Sequence, residues 1–110
     1  MSEEQRKHER RVVRWRAALI LGTKGESVIK GEVLDISPAG ICFLSDRALP
    51  TRQRVKIAIQ VPPGRAGPNP QEARVEATIT YSLFSSDTFK SGLQITQFVA
   101  GKAAFIANCY

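Results

Sequence analysis

A strict alternation of apolar and polar residues between Arg54 and Val61 constrains the fold of this chain more than any other feature. Every second residue is valine or isoleucine, and the residues between them are mostly polar. Side chains on a β-strand point alternately to its two faces, so a period of two predicts a strand with one buried face. The segment is therefore predicted to be a half-buried strand.

Five further strands are predicted, because short apolar or alternating segments recur between turn residues along the chain. They are residues 15–21, 27–36, 41–44, 73–81 and a last strand with Phe89, Leu93 and Ile95 on one face. The strand of residues 73–81 places Tyr81 on the same apolar face as Ile79. Glycine and proline mark the breaks, at residues 22–25, 38–40 and 62–70, and the last of these is predicted to be an exposed loop.

The tail and the aromatic residues complete the predicted fold. Val99, Ala103, Ile106 and Tyr110 follow one another at intervals of three or four residues, which predicts a short amphipathic helix over residues 99–110. Trp15 is assigned to packing at the barrel edge, and the phenylalanines to the core. The phenylalanines are Phe43, Phe84, Phe89, Phe98 and Phe105. We predict a mainly β chain that forms a six-stranded antiparallel barrel or sandwich with a C-terminal helix.

The charge of the chain is concentrated at its start. The net charge is +6, and half of that excess lies within the first 16 of the 110 residues. We predict a flexible basic arm over residues 1–14 and one barrel domain over residues 15–110. A basic arm attracts phosphate-bearing partners, which include DNA, RNA, anionic lipid and nucleotides.

Several classes of function are not supported by the sequence. No apolar run approaches the roughly 20 residues of a membrane-spanning helix, and we expect a cytoplasmic protein that does not insert into membranes. Cys42 and Cys109 form no metal or redox spacing, so both are predicted to be structural thiols. With His8 as its single histidine and no catalytic or phosphate-loop pattern, the chain is predicted to be no enzyme and to carry no cofactor.

Two short motifs remain, and together they resemble the PilZ domain family. RRVVR at residues 10–14 has the form RxxxR, and DISPAG at residues 35–40 has the form DxSxxG. The family carries the first motif in an N-terminal arm and the second after the second strand. The resemblance covers nearly the whole chain, including the glycine-containing strand of residues 91–95. It implies a six-stranded β-barrel that binds cyclic di-GMP.

The chemistry of this ligand suits the motif residues, which the resemblance assigns to it. An arginine fork can donate two hydrogen bonds to the O6 and N7 atoms of guanine, and it also binds phosphate. A carboxylate accepts from the N1–H and N2–H groups of guanine, a serine hydroxyl can bond to base or phosphate, and a glycine allows tight reversal and close approach. The implied ligand-binding residues are Arg10, Arg11, Arg14, Asp35, Ser37 and Gly40.

Several alternatives stay open at this stage. Arg6 and Arg10 form a second RxxxR register, and Glu9 leaves the number of bound ligands, one or a stacked pair, undecided. The DxSxxG segment also suits an ordinary turn, in which Asp and Ser bond to nearby backbone amides. A ligand-free PilZ-like interaction domain and a general nucleic-acid binder are the alternative functions, and a nucleic-acid polymer is the less favoured partner.

As a receptor, this monomer or weak dimer would order its arm on binding the ligand and signal to a protein effector. Motility, biofilm formation and virulence are the processes that the family suggests.

Overall fold

Six strands and a short helix are built by the residues that the computed structural model describes, which are 10–22 and 27–110. They are β1 (Arg11–Leu21), β2 (Ser27–Ser37), β3 (Gly40–Ser45), β4 (Arg54–Val61), β5 (Gln71–Ser85), β6 (Thr88–Ala100) and α1 (Lys102–Ala107). The strands close into an antiparallel barrel in the order β1-β2-β3-β6-β5-β4. The predicted six-stranded antiparallel barrel is confirmed. Over the described ranges, no helix has the length and apolar character needed to cross a bilayer.

The barrel interior is filled by the residues that alternate inward along each strand. In β4 the inward positions are the predicted ones, Val55, Ile57, Ile59 and Val61, and all four are buried. Trp15 is buried as well, in agreement with its predicted packing role. Because the period of two is a local property, it identified these core residues directly from the sequence.

The assignment of all five phenylalanines to the core is wrong for Phe84 and for Phe89, since Phe89 is only half-buried and is not packed against the core. Phe43 and Phe105 are wholly buried, but 65% of Phe84 is exposed. The hairpin of β5 and β6 extends beyond β4, which pairs with β5 only as far as Thr78. Phe84 therefore lies beyond the part of β5 that pairs with β4, and its ring packs on the ring of its cross-strand partner Phe89, with 5.1 Å between ring centroids.

The first strand begins earlier than predicted. It starts at Arg11 rather than Trp15, so residues 11–14 of the predicted arm belong to the barrel and pair with β2. The alternation of inward and outward residues continues unbroken from Trp15 back to Arg11, but the arginine at inward position 11 and the exposed Val12 hide this continuation in the sequence. Of the remaining arm residues, Arg10 directly precedes β1, whereas residues 1–9 lie outside the described part of the chain, and their predicted flexibility stays a prediction.

The C-terminal helix is shorter than predicted and buries a different face. The last strand continues to Ala100 by pairing with β5, and Gly101 (φ 74°) then turns the chain into α1. Val99 thus lies in a strand, and its helical spacing from later residues has no structural meaning. The buried residues of α1 are Ala104 and Phe105. Of the predicted face, Val99, Ala103 and Tyr110 are exposed and Ile106 is half-buried.

Gly31 in β2 supports a test of the barrel packing. A Cβ added at this position would overlap the carbonyl oxygen of Leu44 and lie 2.8 Å from the Cζ atom of Phe43. Because the carbonyl belongs to the sheet and cannot move aside, Gly31→Ala is expected to lower the free energy of unfolding by about 1–3 kcal/mol. Urea denaturation measures this, and Lys30→Ala on the exposed neighbouring residue serves as the control. Equal stability of the two variants would contradict the packing described.

The turn between β5 and β6 supports a second test. Ser86 (φ 54°) and Asp87 (φ 67°) are both left-handed, as in the two-residue hairpin loops that favour Asn-Gly. Asp87→Gly removes a strained conformation but also loosens the unfolded chain, so we expect a net stabilisation of roughly 0.5 kcal/mol. Asp46→Gly, at an exposed residue without a positive φ, should instead destabilise the protein. Thermal unfolding of both variants compares the two, and a lower melting temperature for Asp87→Gly would refute this account of the turn.

Candidate ligand site on the barrel surface

A row of five residues crosses the outside of the barrel, one from each of five strands. In order across β1, β2, β3, β6 and β5, this outer row is Val12, Asp35, Cys42, Gly92 and Tyr81. Each is the cross-strand partner of the next, so their side chains share a face of the sheet. That face is the outer one, since the chain neighbours Ile36, Ile41 and Leu93 are buried in the core.

Arg10, which directly precedes β1, forms an ion pair with Asp35 in the outer row. Its Nη1 atom lies 2.6 Å from Oδ1 of Asp35, and both side chains are partly exposed, at 38% and 26%. Ion pairs of this exposure contribute at most about 1 kcal/mol, because water competes for both charges. The ion pair positions both groups, and either group can bind another partner instead at a low cost in free energy.

The turn after β2 is held together by Ser37. Its Oγ accepts hydrogen bonds from the backbone N–H of Ala39 at 3.3 Å and of Gly40 at 3.1 Å. The carbonyl of Ala39 accepts from the N–H of Ile95 at 2.9 Å, which ties the turn to β6. Since Ser37 is only 4% exposed, its hydroxyl serves the turn, as in the ordinary-turn alternative.

Gly40 provides space beside the ion pair. Its φ is not in the left-handed region, so the chain reversal depends on Pro38 and Ala39 and not on this glycine, contrary to the sequence-based reason. The second reason, close approach, fits the structure. A Cβ added at Gly40 would lie 3.3 Å from Nη2 of Arg10 and 3.2 Å from the carbonyl oxygen of Leu93. The missing side chain leaves room for the Arg10 guanidinium.

The other two motif arginines have different partners. Arg14 is 71% exposed and lies 3.0 Å from the Glu32 carboxylate on β2. Arg11 points to the opposite face of β1, where its Nη1 donates to the Asn108 carbonyl at the end of α1, at 2.9 Å. The structure thus brings Arg10, Asp35 and Gly40 together and places Arg14 on a neighbouring carboxylate. It does not bring Arg11 into the same cluster.

Tyr81 belongs to this surface, although the sequence placed it on the buried face of β5. A bulge between Ile79 and Tyr81 reverses the alternation, and 40% of Tyr81 is exposed. Burial raises the pKa of the Tyr81 hydroxyl, and the neighbouring Cys42 thiol raises it further. No sequence signal identifies this residue, because a bulge leaves no local mark on the pattern.

Cys42 lies between Tyr81 and the ion pair and is nearly buried, with a free thiol. Burial raises the pKa of this thiol, and the Asp35 carboxylate raises it further, while Arg10 lowers it. A thiol held protonated in this way is a poor nucleophile, which fits the predicted structural role. Among the described residues, no cluster of histidine, cysteine and carboxylate side chains could hold a metal ion.

Comparison with known proteins agrees with this architecture. No curated protein sequence matches the chain significantly. Among solved structures, the Bacillus subtilis inhibitor of motility (MotI/DgrA) is similar, with a TM-score of 0.78 at 17% identity, over 94% of this chain and 49% of that one. The likeness shows a shared fold, and this chain spans about half the length of that relative. The family model of the PilZ domain matches residues 4–103, and the chain therefore belongs to the PilZ domain family, whose members are regulatory binding domains.

Proposed function

We propose that this chain is a cyclic di-GMP receptor that binds its ligand on the outer row, beside the turn at Ser37–Gly40. Membership of a family of cyclic di-GMP-type receptors and adaptors supports this function. The observation that carries it is the pairing of Arg10 with Asp35. These residues are 25 positions apart in sequence, yet their charged groups lie 2.6 Å apart. They lie next to Gly40, which has no side chain to occupy the space beside them.

The two charged groups match the two hydrogen-bonding edges of guanine. The Arg10 guanidinium can donate to O6 and N7, and the Asp35 carboxylate can accept from N1–H and N2–H. Charge-assisted hydrogen bonds to the base are stronger than neutral ones. Because the existing ion pair is partly exposed and weak, replacing it with bonds to a base costs little.

Arg14 is suited to a phosphodiester of the same ligand. Its guanidinium is held only by an exposed ion pair with Glu32 and can leave that carboxylate for a phosphate. Ser37 acts on the ligand through the turn that it holds, rather than by a direct hydrogen bond. Arg10 belongs to both possible RxxxR registers, and Arg6, the other member of the second register, lies outside the described residues.

Signalling follows from the exchange of ion-pair partners at the start of β1. Ligand binding would release Arg10 and Arg14 from their carboxylates and change the surface around Val12, which is 83% exposed. A protein effector that reads this surface would distinguish the bound from the free state. Because the structural neighbour is named an inhibitor of motility, control of motility is the process that we propose for such an effector.

Calorimetric titration with cyclic di-GMP tests the proposal. We expect micromolar or tighter binding by the unaltered protein and a loss of about 30-fold or more in Arg10→Ala and Asp35→Ala, because each removes the hydrogen bonds that its side chain makes to guanine. Arg47→Ala is the matched control, since Arg47 is an exposed arginine paired with an aspartate, Asp46, outside the site. A flat titration of the unaltered protein would refute the proposed function.

Titration with single-stranded RNA or DNA, compared with the cyclic di-GMP titration, distinguishes a cyclic dinucleotide receptor from a general nucleic-acid binder. A general nucleic-acid binder would bind single-stranded RNA or DNA with an affinity that falls steeply as salt rises, because each neutralised phosphate releases counterions. We expect no such binding at low salt. Tight, salt-sensitive polymer binding together with a flat cyclic di-GMP titration would favour the alternative function.

The different contacts of Arg10 and Arg11 predict different effects of their removal. Arg11→Ala should lower the free energy of unfolding by about 1–2 kcal/mol, because it removes a charged hydrogen bond to the end of α1, while affinity for cyclic di-GMP stays nearly unchanged. Arg10→Ala should lose affinity with little change in stability. Urea denaturation and calorimetry of both variants measure the two effects. Loss of binding in a stably folded Arg11→Ala protein would show that Arg11 contacts the ligand.

A further inference from the structure

The hairpin of β5 and β6 has an open backbone edge where it extends beyond β4. Strand β4 pairs with β5 as far as Thr78, and the loop before β4 adds backbone bonds to Ile79. The Leu49 N–H of the same loop bonds to the side chain of Ser82 and not to its backbone. Among the residues that the structure describes, no backbone-to-backbone hydrogen bond reaches residues 81–85 from the β4 side. This part of β5 therefore offers unpaired N–H and C=O groups to a further strand.

The open edge lacks the residues that usually protect a strand edge from association. Residues 77–86 include no charged side chain and no proline. Most of them are threonine, isoleucine, tyrosine, leucine or phenylalanine, which favour strands. Leu83 and Phe84 follow one another, point to opposite faces of the hairpin and are 60% and 65% exposed. Because natural edges usually carry lysine or proline at such positions, this edge is suited to pairing with another strand.

We propose that residues 81–85 pair with the same segment of a second copy of this chain and so form a weak dimer. Charge favours this occupant, because a strand with charged residues would bring them against the apolar Leu83 and Phe84. The segment is neutral and does not repel its own copy. Antiparallel pairing of one segment with itself is a closed two-fold contact, which is the commonest symmetry of oligomers. The inference involves no nucleotide and does not depend on the proposed function.

Two-fold symmetry determines which residues meet. Leu83 is the middle residue of the segment 81–85, so it lies opposite Leu83 of the second copy, and Phe84 lies opposite Ser82 of that copy. The phenylalanines at position 84 then become diagonal neighbours at about 7–8 Å, which aromatic side chains can span. Each already packs on Phe89 of its own chain. Pairing would thus join two exposed phenylalanine pairs into one aromatic cluster.

The proposed contact is small and leaves the candidate ligand site open. One short pair of strands buries less than the roughly 1,200–2,000 Å² of a stable protein–protein interface, so the dimer should form only at high protein concentration. Asp35, the partner of Arg10, lies on β2, which β3 and β6 separate from β5. Pairing at the edge of β5 therefore does not cover the ion pair, and each dimer would offer two candidate ligand sites.

Sedimentation velocity of the unaltered protein, without nucleotide, tests the dimer. We expect the average mass to rise from that of one chain toward that of two as the protein concentration rises. Leu83→Lys should weaken association about tenfold or more, because it places two like charges opposite each other at the two-fold axis. Val28→Lys is the matched control, since Val28 is a similarly exposed apolar residue, at 57%, on β2. Thermal unfolding confirms that both variants are folded.

Oxidative cross-linking tests which residue lies on the axis. In Leu83→Cys the two new thiols would lie opposite each other, with about 4.5–5.5 Å between Cα atoms, which a disulfide can bridge. Non-reducing electrophoresis should show a cross-linked dimer for Leu83→Cys and mainly monomer for Val28→Cys. The native thiols Cys42 and Cys109 are buried and should not compete. A monomer at every concentration, or association that Leu83→Lys leaves unchanged, would overturn the paired edge and leave the proposed receptor function untouched.

Discussion

Closure of the sheet is the constraint on which the rest of this structure depends. Since all six strands pair on both sides for part of their length, the register of each pair fixes the register of the next around the barrel. Residues far apart in sequence, such as Val12 and Tyr81, thereby become members of one row on the outside. Apart from the turn at Ser37–Gly40, the site lies on paired strands, and the hydrogen bonds between those strands set its geometry.

Bulges in the strands change which side chains face outward at the candidate site. Register shifts occur beside Asp35, where β2 pairs with β1 and with β3, and beside Tyr81 on β5. A bulge adds one residue to a strand and so exchanges the inward and outward positions beyond it. In β5 this exchange turns an aromatic ring out of the core and onto the surface that holds the ion pair. The bulges near the site thus help to determine which residues the surface offers.

The three arginines of the RxxxR segment make different contacts, because residues near and within a strand face different sides of the sheet. Arg10 reaches the Asp35 carboxylate and Arg14 reaches Glu32, whereas Arg11 contacts the end of α1 from the other face. The first two contacts are exposed and exchangeable, and the third is partly buried and joins two elements of the fold. Identical charges therefore differ in what their removal would cost, since exposure sets the strength of each contact.

The sequence by itself determined the six strands, because alternation is a local property of the chain, and its two short motifs supplied the resemblance that implied the barrel and the candidate ligand-binding residues Arg10 and Asp35. Only the tertiary structure decided where β1 begins, that Ser37 serves its own turn and that Tyr81 faces outward. Bulges and cross-strand partners are properties of two or more segments at once. The residues of one strand therefore do not reveal which residues of the neighbouring strands they pair with. This pairing brings the site residues together on one outer face.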